Sequence, residues 1–373
     1  MRCRIILAIA LFLDVARCCM GIDSGNIVGY ETTVDHGKTN VTTIAFPADA
    51  FPQAVSNSLG RNVTIPLEPR PKLFLAEVLS YATIRIYCVA SNGLQSAGTG
   101  FFFSFRNKRD PQLHMPVIIS NRHVLQNAAL LSLLFTVAKD GRPSKEIVKC
   151  DILKEQIGCI GHPDPSVDLC ALPIAPILTF LRGVGKPVFI SPLDSTCIPD
   201  AESLTTITQL DEVVMIGYPG GLIDEKNNQP IFRRGTLATN PSMDYKGREE
   251  FLIDMPVFWG SSGSPVILYS EGAYFVRSRH EAGTNMRLGN RVKLLGIAYA
   301  TLQADIRGTL QPIPIPSAVI ARDPATSPVS TNTTNGVYFL NQFKIPNNLG
   351  VVIKASRLLE FEEHLNNMLH QNH

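Results

Sequence analysis

Ser262 lies in FWGSSGSPVIL (258–268), between glycines at 260 and 263 and just ahead of a proline and an apolar run. A serine hydroxyl attacks poorly unless a base takes its proton, and that base needs a third group to orient it. His123 ends the apolar run PVIISNRHV (116–124), at the rim of a buried strand. Histidine is the usual base because its ordinary pKa is close to neutral. Asp168 opens a second apolar run in PSVDLCALPI (165–174), with Asp164 as a rival set among prolines. Singly, each reads equally as a strand-edge histidine, a turn carboxylate and a loop serine. Together, in the order His, Asp, Ser, they point to nucleophilic catalysis through an acyl-enzyme. An α/β-hydrolase needs G-x-S-x-G and the order Ser, Asp, His. Here position 264 is serine and the histidine comes first, so that fold is excluded.

The surrounding pattern is of short apolar runs cut by turn residues. VLSYATIRIYCVA (78–90), GTGFFFSF (98–105), DEVVMIGYP (211–219), REEFLIDMPVF (248–258) and VKLLGIAYA (292–300) are β-branched or aromatic. With 27 glycines and 26 prolines to turn the chain, they predict an all-β fold. Two polar insertions, 270–291 and 303–336, interrupt the series. A helix is expected from Ser356 as N-cap, with Leu358, Phe361, Leu365 and Leu369 on one face.

The N-terminus reads differently. Arg2 and Arg4 precede the apolar run Ile5 to Leu13, followed by small residues near Gly21, so residues 1–21 have the form of a signal peptide for export, secreted or periplasmic. Residues 22–75 are rich in Thr, Asn and Pro without a period, which predicts an extended leader or pro-segment. The formal charge of +2 falls to neutrality once residues 1–21 are removed, and no basic block interleaves with aromatics, so no nucleic-acid partner is expected. No other apolar run reaches membrane-spanning length. No HExxH or paired CxxC occurs, so no metal or other cofactor is expected. Cys88, Cys150, Cys159, Cys170 and Cys197 have no framework spacing, although Cys150 and Cys159 could close a hairpin in an oxidising compartment.

The quoted stretches GTGFFF, ISNRHV, VDLCALPI, VMIGYPGG, GSSGSPV and LLGIAYA resemble the chymotrypsin/trypsin-like serine peptidases. The resemblance implies two six-stranded antiparallel β-barrels flanking a cleft, with a C-terminal helix, over residues 76–370. It implies His123 as base, Asp168 as its orienter, Ser262 as nucleophile, and the N–H groups of Gly260 and Ser262 as an oxyanion hole. Pro256, Tyr299, Ala300 and Thr301 fall where family members line the substrate pocket and pair with substrate backbone, which implies a small or apolar residue before the scissile bond. Val124 replaces a cysteine of the digestive members, and Ser261 replaces the aspartate that captures their new N-terminus. IVGYE (27–31) therefore has no receiving end, and the chain is similar to the disulfide-poor branch that includes HtrA-type catalytic domains. The implied function is a secreted serine endopeptidase acting on protein or peptide substrates. The alternative is a catalytically silent binding or scaffold protein on the same fold.

Overall fold

A computed structural model describes residues 31–35, 40–45, 73–106, 114–153, 156, 158–277, 284–309 and 340–371. The N-terminal strands are β1 Glu31–Asp35, β2 Asn40–Ala45, β3 Thr83–Ala90, β4 Gln95–Arg106 and β5 His114–Ser120. They continue as β6 Ala128–Lys139, β7 Arg142–Leu153, β8 Ile160–Gly161, β9 Cys170–Pro173 and β10 Leu193–Asp194. The C-terminal strands are β11 Glu212–Gly217, β12 Ile231–Leu237, β13 Glu250–Asp254 and β14 Pro265–Ser270, then β15 Ala273–Arg277, β16 Thr284–Leu288, β17 Arg291–Thr309 and β18 Leu340–Lys354.

The unbroken aromatic run of β4 has a physical reason. Successive strand residues face opposite sides of a sheet. Phe102 enters one cluster with Ile84, Ile86, Ile118, Leu131, Leu133, Val148, Ile152 and Leu172. Phe101, Phe103 and Phe105 enter another. A strand buried on both faces needs no polar alternation.

The first cluster collects inward side chains from β3 to β7 and β9, and the helix Ala175–Gly183 adds Ile177, Leu178 and Leu181. The strand order is β1-β2-β7-β6-β3-β4-β5-β9-β8, with β10 parallel to β4. Among the described residues no ladder joins β8 or β9 to β7. Of the expected pair of six-stranded barrels, one is closed among the described residues. The closed barrel is the C-terminal one, β11-β12-β13-β18-β17-β14, filled by Val213, Met215, Leu237, Phe251, Ile253, Val266, Leu295 and Val352.

The second cluster joins the halves. Val117, Ile119, Leu169 and Ala171 meet Ile216, Ile267, Leu294, Ile297 and Ile353, with Leu358, Phe361 and Leu365 of the helix Arg357–Gln371 packed on both. Phe361 lies 6.3 Å from Phe105. Arg357 clasps Asp164 from the first half at 2.7 Å and Glu249 from the second.

Residues 40–45, inside the stretch expected as leader, run parallel to β7, and Ile44 joins the first core cluster. Residues 1–30, which hold the expected export signal and most of IVGYE, lie outside the described residues. The polar stretch 270–291 forms the hairpin β15–β16, and 303–309 prolongs β17 against β18. No helix among the described residues is long and apolar enough to cross a membrane.

Burial is expected to make the protein alkali-sensitive. It pushes the Cys88 and Cys150 thiols from an ordinary value of 9.0 up to about 12. Burial, then the Glu250 hydrogen bond, lifts Tyr299 from 10.0 to about 12. Groups whose pKa is raised on folding contribute stability that is complete below their unfolded values and lost as pH rises through the folded ones. The urea midpoint is therefore expected to hold up to about pH 9 and to fall steeply toward about pH 12. Equal midpoints at about pH 8 and about pH 11 would refute this account.

Candidate active site

β5 ends at Ser120, and the chain turns at Asn121 into a single helical turn, Arg122–Leu125, that lifts His123 out of the sheet. That turn lies flat on β4 because position 98 is glycine: a Cβ there would fall 2.4 Å from Val124 Cγ1. Asp168, just ahead of β9, meets His123 twice. Its Oδ2 is 2.5 Å from His123 Nδ1, and its Oδ1 accepts the His123 backbone N–H at 3.0 Å. Asn121 Nδ2 holds the Asp168 carbonyl at 2.8 Å. An ionised carboxylate only accepts, so Nδ1 carries the ring proton of a neutral imidazole. Nε2 is then left with its lone pair, on a side chain 42% exposed. The rival Asp164 is turned instead to Ser166 and Arg357.

The serine loop is fastened from the other half. Thr99 is its anchor: its N–H donates to the Ser262 carbonyl at 2.8 Å and its Oγ1 to the Gly260 carbonyl at 2.8 Å. Thr99 Oγ1 also accepts from Tyr218 N, and Ser120 Oγ donates to the Thr99 carbonyl. Gly263 has φ +89°, and a Cβ there would lie 1.9 Å from the Thr99 carbonyl oxygen, so no larger residue fits. Gly260 has φ +83°.

The Trp259 carbonyl accepts from Gly220 N–H at 2.7 Å. In a planar trans peptide the N–H points opposite the C=O, so the Gly260 N–H faces away from Gly220. Among the described residues neither the Gly260 N–H nor the Ser262 N–H has an acceptor. Two free donors thus flank the serine.

Ser262 Oγ donates to the Tyr299 carbonyl at 3.4 Å, and among the described residues no hydrogen bond joins it to His123. Serine and histidine are held near one another through β4, since Thr99 binds the serine loop and Gly98 packs on the histidine turn. Tyr299, Ala300 and Thr301 sit on β17 where its register against β18 shifts. The Tyr299 carbonyl faces Ser262 while its hydroxyl donates to the buried Glu250 at 2.9 Å, itself paired with Arg248 at 2.7 Å. Thr301 Oγ1 reaches the Leu349 carbonyl at 3.3 Å, and Pro256 is half-buried after β13. Sequence reasoning had passed over Thr99 and Glu250. The G-T-G spacing of 98–100 was the signal for Thr99; nothing local marked Glu250, whose partners arrive from other strands. Among the described residues no group of three or more His, Cys, Asp or Glu side chains could hold a metal.

Residues 98–274, which include His123, Asp168 and Ser262, match the family described as a trypsin-like peptidase domain. Among solved structures, the chain is similar to an HtrA-type protease, AlgW with tripeptide, at 15% identity and TM-score 0.38, covering 78% of this chain and 61% of that one. The chain thus spans about three fifths of the length of AlgW. The Rv3671c protease from M. tuberculosis, active form, is similar at 16% identity and TM-score 0.32, covering 79% and 88%. The MamO protease domain from Magnetospirillum magneticum follows at 14% and 0.32, covering 62% and 88%. No curated protein sequence matches the chain.

Proposed function

We propose that the peptidase domain is a serine endopeptidase, with Ser262 as nucleophile, His123 as general base and then acid, and Asp168 as its orienter. The observation that carries this reading is the pair of free N–H donors at Gly260 and Ser262 beside a serine hydroxyl. Such donors stabilise the developing oxyanion, each by roughly 3–4 kcal/mol. Attack by Ser262 Oγ on a peptide carbonyl passes its proton to His123 Nε2, and Asp168 stabilises the resulting imidazolium. The imidazolium then protonates the leaving amine, and water repeats the cycle on the acyl-enzyme. For this, Ser262 Oγ must leave the Tyr299 carbonyl. A substrate N–H taking that carbonyl would release it, so binding and activation are coupled. Pro256 and Thr301 carry no charge, which supports a small or apolar residue before the scissile bond. Residues 1–21 serve as an export signal, so the enzyme acts in a secreted or periplasmic setting.

A fluorophosphonate probe tests the assignment. It should label Ser262 in the wild-type chain and leave Ser262→Ala unlabelled. The silent-scaffold alternative is favoured by the Ser262–Tyr299 hydrogen bond, which takes the hydroxyl away from the base. It predicts no labelling at all.

Gly260→Ala gives a graded check of the donor pair. The new Cβ would lie 2.5 Å from the Tyr218 carbonyl oxygen and 2.9 Å from Gly221 N, both rigid backbone. The Trp259–Gly260 peptide must turn, and one donor is lost. Turnover of a peptide substrate should fall about 10²–10³-fold with far-UV circular dichroism unchanged. Full turnover in a folded variant would remove Gly260 from the reaction.

A further inference from the structure

Two cysteines that the peptidase reaction does not use bracket the segment carrying Asp168. Cys159 stands one residue before β8, and Cys170 is the first residue of β9. The antiparallel register pairs Ile160 with Ala171 and Gly161 with Cys170. Side chains two apart share a face, so Cys159 and Cys170 lie on one face of this hairpin, diagonal across it. Cys159 packs against the apolar cluster that contains Cys170, and the Cys159 thiol is near enough to raise the pKa of the Cys170 thiol. Because Cys159 lies outside the ladder, its backbone is free to close the remaining distance that a disulfide requires.

The other described cysteines lack such a partner. Cys150 faces Leu133 on one neighbouring strand and Ile44 on the other, and the Cys150–Cys159 bond that the sequence allowed is not formed in this structure. Cys88 turns its thiol to the Val124 carbonyl at 3.4 Å. All five are free thiols in this structure.

We propose that Cys159 and Cys170 form a redox-sensitive disulfide that braces the Asp168 segment. The oxidant is a disulfide donor such as oxidised glutathione. Cys159, the more exposed thiol, loses its proton and attacks one sulfur of the donor, expelling one thiolate and forming a mixed disulfide. Cys170 then loses its proton and attacks the Cys159 sulfur, expelling the second thiolate. Two thiols give up two protons and two electrons, and the donor leaves as two thiols. The contact with Cys159 and burial hold the Cys170 thiol well above its ordinary range, so the first attack belongs to Cys159.

The full chain is oxidised with glutathione disulfide, quenched in acid, alkylated, digested and mapped by mass spectrometry. The expected product is a Cys159–Cys170 crosslink, two hydrogen masses lighter than the thiol form and reversed by dithiothreitol. Cys170→Ser should stop at a single glutathione on Cys159, whereas Cys159→Ser should leave the buried Cys170 unmodified. That asymmetry does not depend on peptidase activity. Amide exchange over residues 160–169 should slow about tenfold or more on oxidation, since closing the loop removes local opening. A Cys150–Cys159 crosslink, or no crosslink in protein that circular dichroism shows folded, would overturn the pairing. Unchanged exchange in crosslinked protein would overturn the brace.

Discussion

Ser262→Ala is expected to lower peptide turnover by about 10⁶-fold, leaving a residual roughly 10³–10⁴ above the reaction in water. The residual comes from the Gly260 and Ser262 backbone donors, which the substitution leaves in place. The fold should be intact, because the loop is held by the Ser262 carbonyl on Thr99 and the Gly263 N–H on the Ala298 carbonyl, not by the hydroxyl. The hydroxyl's own bond, 3.4 Å to the Tyr299 carbonyl, is long and weak. His123→Ala should cost about as much, and the double variant little more, because nucleophile and base act as one unit. Single-turnover kinetics on one peptide substrate would measure all three. Turnover within tenfold of wild type in Ser262→Ala would leave the glycine-rich loop as a turn and nothing else.

Asp168→Asn is expected to cost about 10⁴-fold in kcat with little change in stability. An amide can still accept the His123 backbone N–H through its oxygen, which Asp168 Oδ1 does now at 3.0 Å. Its NH₂ would then face Nδ1, where Oδ2 now sits at 2.5 Å. A donor at that place makes Nδ1 the acceptor and moves the ring proton to Nε2, the atom that must take the proton of Ser262. The variant should therefore bind substrate with similar KM and fail in the chemical step. A loss of KM with kcat intact would show that Asp168 shapes the pocket and does not orient the base. The Asn121 hold on the Asp168 carbonyl is backbone-directed and survives the change.

Local pattern and tertiary arrangement contributed different things. The alternation of Phe101, Phe103 and Phe105 against Phe102, the turn glycines and the apolar stripe of the last helix follow from chain periodicity, and they specify a mostly β protein with a terminal helix. The glycines at 260 and 263 could be read as backbone-shaping because only glycine takes their positive φ with a carbonyl so close. Residue types and order alone singled out His123, Asp168 and Ser262. Whether a sheet closes is a different matter. It depends on whether a short edge strand such as the two-residue β8 meets a partner set down by other segments, and no local pattern carries that.

Hydrogen bonds between distant segments were equally invisible. Thr99 and Gly260 are 161 residues apart, Tyr299 and Glu250 49, and Arg357 and Asp164 193. The sequence by itself determined which residues have the chemistry, the strand-rich class and the glycine-dependent loop, because these rest on side-chain type and short-range sterics. Only the tertiary structure decided that Asp168 meets His123 twice while Asp164 turns to Arg357, that Cys159 lies diagonal to Cys170 across the β8–β9 hairpin, that the C-terminal sheet closes into a barrel, and that Ser262 rests on the Tyr299 carbonyl. Each of these is a choice among chemically equal partners. Packing of the whole chain makes that choice, since which partner a side chain meets depends on where distant strands set it down.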